Sequence, residues 1–268
     1  MGAKASRPKP GARLQVIGAG LPRTGTASFA AALSLLFDGP VYHGGTQTLV
    51  NTDDTQVKAW IDILAHTPYK TPADREYVMG KLQTLTQGFI ATADAPLGQF
   101  VEELMEIYPD AQVVCTVRDR DAWAKSLDET AKPSLQPFLG LLVYWVPVLT
   151  HFPKYIQHLQ AGRWGELYSQ PGEKWSVGKD VWDRHMAYLE RTVPKDKIVY
   201  FDVREGWQPL YKALNVQVPV DVEFPRINDG KAMEDFAKTQ VQRGLKHWVV
   251  RLLGCATAVA VIWQYFKV

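Results

Sequence analysis

Short apolar runs alternate with longer amphipathic segments along most of the chain. The apolar runs that predict strands are 14–17, 41–43, 89–93, 112–117 and 198–201. The segments that predict helices are 26–37, 46–66 with an interruption at 51–54, 68–86, 97–108, 176–193 and 207–214. The run at 112–117 is β-branched without alternation, which is typical of a parallel strand buried on both faces. Strands that alternate with helices in this way predict an α/β domain built on a parallel sheet.

A glycine-rich turn joins the first predicted strand to the first predicted helix. Gly18, Gly20 and Gly25 let the backbone turn tightly, so that several N–H groups point to one side. The helix that begins at 25–26 adds unpaired N–H donors and the positive end of its dipole. These features predict a cradle for an anion, and phosphate is the natural ligand of such a strand–loop–helix unit. From the turn alone, a tight turn without any ligand is the alternative.

Two common phosphate-binding motifs each fail at one place in this loop. The ATPase motif needs a lysine and then a serine or threonine after its last glycine, whereas Thr26 and Ala27 follow Gly25. The dinucleotide-binding motif needs a third glycine, and Arg23 stands in its place. The sequence therefore favours a different phosphate ligand.

The loop Pro22-Arg23-Thr24-Gly25-Thr26 resembles the 5′-phosphosulfate loop of the sulfotransferases, Pro-[Lys/Arg]-[Ser/Thr]-Gly-Thr. Those enzymes share the P-loop fold and bind PAPS (3′-phosphoadenosine 5′-phosphosulfate) rather than ATP. The resemblance implies an α/β, P-loop NTPase-like parallel sheet flanked by helices, to which this chain adds a hydrophobic C-terminal helix.

A second motif follows the strand at 112–117. Arg118 stands at the end of that strand and Ser126 lies eight residues further on. Their spacing resembles that of the arginine and serine that hold the 3′-phosphate of PAPS in sulfotransferases. An arginine fork suits a phosphate well. Taken alone, Arg118 is better interpreted as paired with Asp119 or Asp121, and Ser126 as a solvated surface residue. Two phosphate motifs in the correct chain order, however, favour sulfotransferase ancestry.

Several further elements resemble one divergent branch of that family, the sulfotransferase-like proteins of fungi, worms and protists. They are Asp94-Ala-Pro96, Tyr108-Pro-Asp-Ala111 and Val117-Arg-Asp119. The resemblance covers about residues 13–236. Some members carry an NAD-dependent epimerase or dehydratase label, which the missing third glycine and the absence of a Tyr-x-x-x-Lys pair argue against.

The resemblance assigns the cofactor contacts residue by residue. The 5′-phosphosulfate is expected to contact Pro22, Arg23, Thr24, Gly25, Thr26, Ala27 and Ser28, and the 3′-phosphate to contact Arg118 and Ser126. Arg23 takes the place of a lysine near the leaving-group oxygen, where a permanent positive charge stabilises an oxyanion. Ser28 stands where cytosolic members have a tryptophan, which leaves the adenine partner open. No metal is required, and no cluster of metal ligands stands out in the sequence.

Asp94 is the candidate general base. Cytosolic members carry a His-x-Pro element after the middle strand, and Asp94-Ala95-Pro96 occupies the equivalent place. An N-cap for a helix that starts at 96–97 is the alternative role of Asp94. The rival bases are His43, His151 and His185.

The composition fits one large α/β domain, with 268 residues of which 46% are hydrophobic. A net charge of +2 gives no indication of nucleic-acid binding. The two cysteines, Cys115 and Cys255, form no disulfide framework and fit a reducing compartment. No secretory signal is evident at the N-terminus.

Both ends of the chain carry sequence patterns that predict membrane attachment. Residues 1–12 predict a disordered segment with Gly2 placed for myristoylation. Residues 13–240 form the predicted sulfotransferase-like domain, and 245–267 a C-terminal membrane helix. Its apolar core, 248–266, is long enough to cross a bilayer and carries one charge, and the basic residues before it predict a single-pass anchor with a cytosolic domain. A helix packed on the domain or lying in the interface is the alternative.

Residues 133–155 contain a further apolar stretch that is too short to span. It predicts either a buried helix hairpin or an apolar lid over an acceptor pocket, and a lid would favour a lipophilic acceptor. The sequence as a whole predicts a membrane-attached, PAPS-dependent sulfotransferase that acts on a hydroxyl or amine of a small molecule. A catalytically weak or inactive membrane-anchored binding or scaffold protein with the same fold is the alternative.

Overall fold

The structure is a computed structural model that describes residues 5–51, 53–170, 172–173, 175, 177–216, 221–227 and 229–267. Gly2 lies outside the described residues, so its acylation stays a prediction. Residues 5–12 belong to the segment expected to be disordered, and they lie against the domain. The Lys9 backbone N–H donates to the Gly88 carbonyl at 2.8 Å, and Gln47 Nε2 donates to the Ser6 carbonyl at 2.7 Å.

Five parallel strands form the central sheet, and each lies within or beside a predicted apolar run. They are β1 (Val16–Gly18), β2 (Val41–His43), β3 (Ala91–Ala93), β4 (Gln112–Thr116) and β5 (Ile198–Phe201). Their order is β2-β3-β1-β4-β5, and every neighbouring pair is parallel. The predicted α/β fold class with a parallel sheet flanked by helices is confirmed.

Helices connect the strands and cover the sheet. Up to the fourth strand they are α1 (Thr26–Phe37), α2 (Gly44–Leu49), α3 (Thr55–Ala65), α4 (Pro72–Thr86) and α5 (Val101–Ile107). After it they are α6 (Arg120–Ser134), α7 (Pro137–Leu142), α8 (Phe152–Ala161), α9 (Arg163–Tyr168), α10 (Lys179–Thr192), α11 (Trp207–Leu214) and α12 (Asp229–Phe266). The predicted interruption at 51–54 is confirmed, since the Asp53 carboxylate accepts the Thr55 N–H and α3 begins there.

The hydrophobic core lies on both faces of the sheet. Neighbouring strand residues point to opposite faces, so Val16 and Val114 pack with α1 on one side. Ile17 and Val113 pack on the other side, in the larger cluster that includes Trp60 of α3. Burial on both faces explains why these runs are apolar without alternation.

The C-terminal helix is longer than expected. α12 has 38 residues, and the predicted boundary between 240 and 245 falls inside it. Its N-terminal half contacts the domain, whereas residues 249–267 are exposed throughout. Within the described part of the chain, α12 is the one helix long and apolar enough to cross a membrane.

The apolar stretch within 133–155 is not the buried hairpin that was one of its two interpretations. α7 has no buried residue, although Val143, Val146 and Leu149 after it form a small cluster of their own. The helix lies on the outside because its neighbour is α12 rather than the main core.

Candidate active site

The carboxyl ends of all five strands meet at one edge of the sheet, as they must in a parallel arrangement. The central strand β1 leads into the loop 19–25 at this edge, and His43 ends β2 beside it. Asp94 follows β3, and Arg118 follows β4. Parallel sheets bind their ligands at this edge, where connections leave to both sides of the central strand.

The loop after β1 is held in shape by close backbone packing. A Cβ on Gly20 would lie 1.9 Å from Thr116 Oγ1, so only glycine fits there. Thr24 Oγ1 donates to the Leu21 carbonyl at 2.6 Å and lies 2.6 Å from Thr116 Oγ1. Since its single proton goes to Leu21, the Thr116 hydroxyl donates to Thr24. The hydroxyl of Thr24 therefore stabilises the loop, and only its backbone is left to meet a ligand.

The N-terminus of α1 closes the loop at the place of the predicted anion cradle. Its N-cap is Gly25 at φ 91°, which makes no side-chain capping bond. The first turn, which contains Thr26, Ala27 and Ser28, carries no acidic residue. The dipole and the N–H groups of this turn favour an anion. Ser28 Oγ accepts the Ile227 backbone N–H at 2.9 Å, so its own proton can still be donated.

The two predicted phosphate motifs come together in space. Arg23 Nε donates to Ser126 Oγ at 3.3 Å, across 103 residues of sequence. Arg118 Nη1 donates to the Arg23 carbonyl at 3.0 Å, and Trp123 Nε1 donates to the Pro22 carbonyl at 2.8 Å. Two guanidinium groups and a serine hydroxyl thus adjoin the cradle.

The two aspartates considered as partners of Arg118, Asp119 and Asp121, make other contacts. Asp119 accepts the Ala122 N–H at 2.8 Å and caps α6. Asp121 pairs with Lys179 at 2.7 Å, which lowers the pKa of its carboxyl. The alternative of an Arg118 bound to these aspartates is therefore wrong for this structure.

Asp94 and His43 meet at Thr26, the first residue of α1. Thr26 Oγ1 donates to Asp94 Oδ1 at 3.4 Å and lies 3.2 Å from His43 Nε2. Asp94 Oδ2 accepts the Gly45 N–H at 3.1 Å and lies 3.7 Å from His43 Nδ1. The Asp94 side chain is buried among these groups. Of the three rival histidines, His43 is thus the one beside the candidate base.

The predicted capping role of Asp94 is wrong in its stated form. The short 3₁₀ turn at 97–99 has Pro96 as its N-cap and no side-chain capping bond. The carboxylate instead binds the first turn of α2 through Gly45. Asp94 has a φ of 72°, as Arg23 does, so both predicted catalytic residues are in the left-handed region, where backbone strain is concentrated at functional sites.

Comparison with known proteins identifies the family. The sulfotransferase domain family matches residues 15–233. The chain belongs to the sulfotransferase family. Ava biosynthesis cluster protein M of Aspergillus versicolor is 29% identical over 229 residues, which are 80% of each chain. The crystal structure of the sulfotransferase STF9 from Mycobacterium avium aligns with 89% of this chain and 69% of that chain, at 14% identity and a TM-score of 0.31. With a TM-score this low, the assignment stands on the family match.

In this sulfotransferase, the buried side chain of His185 stabilises the loop after β1. Its Nε2 lies 2.7 Å from the Ala19 carbonyl, and Tyr168 Oη lies 2.7 Å from its Nδ1. Because a carbonyl only accepts, Nε2 carries the proton and Tyr168 donates to Nδ1. His185 is therefore a structural residue, whereas His151 pairs with Asp54 at 3.0 Å outside the site. The sequence names His185 as a rival base, and the signal for its supporting role is its place on the apolar face of α10.

Acidification is expected to destabilise the protein through His185. Burial lowers the pKa of His185 from 6.5 to about 4. The unfolded state therefore binds a proton first, and stability is lost as the pH falls from about 6.5 to about 4, by about 3 kcal/mol in total. Denaturant unfolding of the full chain in detergent micelles, across this pH range, measures the loss.

The matched variant for this measurement is His185→Gln, which cannot titrate. Its stability is expected to depend less on pH between 4 and 6.5 than that of the wild type. Equal pH dependence in both proteins would contradict the assignment of a buried neutral His185.

Proposed function

We propose that the protein is a PAPS-dependent sulfotransferase that transfers a sulfuryl group to a hydroxyl or amine of a small, lipophilic acceptor. The observation that carries this proposal is the convergence of Arg23, Arg118 and Ser126 beside the N-terminus of α1. A relative named for a biosynthesis cluster supports a small-molecule acceptor.

In the proposed complex, the residues of the cradle hold the two charged ends of PAPS. The loop backbone from 22 to 28 and the Arg23 guanidinium bind the 5′-phosphosulfate. Arg118 and Ser126 bind the 3′-phosphate, where a planar fork and a hydroxyl suit the oxygens of one phosphate. Gly20 and Gly25 support the shape of the cradle, because a Cβ on Gly20 would collide with Thr116 and a Cβ on Gly25 with Val203.

Sulfuryl transfer breaks the bond between sulfur and the bridging phosphate oxygen while the acceptor oxygen or nitrogen forms a new bond to sulfur. Negative charge develops on the bridging oxygen, and Arg23 stabilises it without giving up a proton. The acceptor loses one proton, which Asp94 takes. Thr46 N–H points to His43 Nδ1 at 3.4 Å, so the other nitrogen of His43 carries the proton and donates to Thr26. His43 and Thr26 therefore orient the Asp94 carboxylate as an acceptor.

The assignment of the base is tested by Asp94→Asn and His43→Asn. The full chain in detergent micelles is incubated with PAPS and a panel of phenols, alcohols and amines, and the release of PAP (3′-phosphoadenosine 5′-phosphate) is measured. Asp94→Asn is expected to lower kcat by ~10²–10⁴, the usual contribution of a general base. His43→Asn is expected to lower it by roughly tenfold, since it removes only the positioning of Thr26 and Asp94.

Three outcomes would overturn parts of this account. If His43→Asn abolishes turnover while Asp94→Asn keeps it, His43 is the base. If both variants turn over at the wild-type rate, neither residue takes the proton. PAP binding without turnover by the wild type on any acceptor would favour the inactive scaffold instead.

The domain arrangement and the membrane attachment are part of the same proposal. Residues 13–240 form the catalytic unit. Residues 248–266, the apolar half of α12, cross a membrane as a single C-terminal span. Support comes from the length and exposure of that half. Arg243 and Lys246 precede it, and basic residues at that end favour a cytosolic domain.

A further inference from the structure

The apolar residues 138–144, here called the 138–144 segment, lie against α12 at the point where its apolar half begins. Gly244 is buried there, and a Cβ on it would come within 2.3 Å of the Leu142 carbonyl, so the two backbones are in contact. Trp248 Nε1 donates to the Leu141 carbonyl at 3.0 Å. These two contacts fix the position of the 138–144 segment along the axis of α12, beside residues 244–248. Residues at the same position along this axis are said below to be at the same level.

A cluster of aromatic rings and one arginine continues this contact one turn further along α12. The rings of Trp145 and Trp248 meet edge to face at 5.8 Å. The Arg251 guanidinium lies over the Trp145 ring, 3.9 Å from its centre. Trp145 therefore lies level with residues 248–251, the first turn of the apolar half.

The outer face of the 138–144 segment is apolar and exposed. Phe138 and Leu141 are each 64% exposed, and Tyr144 is 54% exposed. No charged residue occurs between 137 and 149. Isolated exposed apolar side chains are ordinary, but a group of them that continues an exposed apolar helix marks a binding surface.

We propose that the 138–144 segment enters the same bilayer surface as α12 and forms a second membrane contact of the protein. This inference rests on the proposed membrane attachment through α12. Residues 248–266 span about 28 Å as a helix, close to the thickness of the hydrocarbon core. Because Trp145 is fixed level with their first turn, insertion of this stretch brings the 138–144 segment to the headgroup region.

The side chains at this level suit the membrane interface. Tyr144, Trp145 and Trp248 are the aromatic types that concentrate between headgroups and acyl chains. Arg243 and Lys246 lie just before the apolar half, where cations attract anionic lipids. A bilayer entered by the apolar half of α12 meets the 138–144 segment as well, because the two surfaces are adjacent.

The second membrane contact indicates which class of acceptor the enzyme uses. Leu49, the last residue of α2, packs against the cluster of Val143, Val146 and Leu149 that underlies the 138–144 segment. The first turn of α2 binds the candidate base, since the Gly45 N–H donates to the Asp94 carboxylate, so a single six-residue helix separates Asp94 from this cluster. The acceptor side of the site is thereby held at the bilayer surface. The acceptor is an amphiphile that resides in the membrane with its hydroxyl or amine among the headgroups.

The test uses the full chain in phosphatidylcholine–phosphatidylserine vesicles, with one environment-sensitive label at a time. Cys255→Ala removes the exposed native thiol, and Cys115 stays because it is buried. Labels are placed at Leu141→Cys, at Val259→Cys in the apolar half of α12, and at Leu35→Cys. Leu35 is half exposed on α1 and serves as the matched control. Each label is tested with iodide in water and with quenchers attached to the lipid, one at the headgroup and one on the acyl chain.

The 138–144 segment is in the bilayer if the labels at 141 and 259 are protected from iodide and quenched by lipid. The label at 35 is then expected to be quenched by iodide and not by lipid. If 259 is quenched by lipid and 141 by iodide, the second contact is wrong and the span remains. If neither is quenched by lipid, the span and the second contact are both wrong. Protection of the label at 141 from both quenchers would show that protein covers this face, which also overturns the proposal.

Discussion

Arg23→Ala is expected to lower the rate of sulfuryl transfer by ~10²–10³, the usual cost of removing one group that stabilises developing negative charge. Arg23 is fixed beside the cradle by its contact with Ser126 and by Arg118, which binds its carbonyl. Alanine keeps the loop but removes the positive charge that stabilises the negative charge on the bridging oxygen. PAP release by the full chain in detergent micelles measures the effect.

Two variants make this result specific. Arg23→Lys keeps a positive charge at the place where the family often has lysine, and it is expected to retain much of the rate. Arg191→Ala removes an exposed arginine of α10 outside the site and is expected to change nothing. Wild-type turnover by a folded Arg23→Ala protein would show that Arg23 does not stabilise the transition state.

Arg163→Leu is expected to destabilise the protein by about 3–5 kcal/mol, because it leaves the buried Glu103 carboxylate without a cation, with only the Tyr69 hydroxyl still donating to it. Arg163 Nη2 donates to Glu103 Oε1 at 2.9 Å, and both side chains are almost fully buried. Burial opposes the charge of Arg163, but the neighbouring Glu103 carboxylate holds its pKa above the ordinary value. Arg163 Nε also donates to the Gln99 carbonyl, which ties the ion pair to the turn after Asp94.

Denaturant unfolding of the full chain in micelles measures this loss against a matched pair. Arg75 forms an ion pair with Glu106 at 2.7 Å on the surface, and Arg75→Leu is expected to cost less than about 1 kcal/mol. The double variant Arg163→Leu with Glu103→Leu is expected to recover most of the stability, since no buried charge is left. An Arg163→Leu protein as stable as Arg75→Leu would contradict the account.

The parts of the fold that were predicted correctly depend on local sequence. β2, β5, α1 and α11 have the expected bounds, because a short apolar run or an amphipathic repeat defines each of them without reference to the rest of the chain. The loop from 18 to 25 was predictable for the same reason, since its glycines and the helix that follows are adjacent in sequence.

The details of the site depend on contacts between distant residues, which no local pattern shows. Thr24 meets Thr116 across 92 residues, and His185 supports Ala19 across 166. Asp94 binds the first turn of α2 rather than its own helix, because β2 and β3 are neighbours and their carboxyl ends are adjacent. The surface position of α7 likewise depends on its contact with α12, more than 100 residues later.

Calorimetric titration of the full chain in detergent micelles with PAP tests the central claim most directly. The account predicts micromolar binding by the wild type and by Arg191→Ala. Arg118→Ala is expected to bind roughly 10- to 100-fold more weakly, the cost of one lost charge-assisted phosphate contact. A folded wild-type protein that does not bind PAP, or an Arg118→Ala variant that binds it as tightly as the wild type, would contradict the proposed cofactor site.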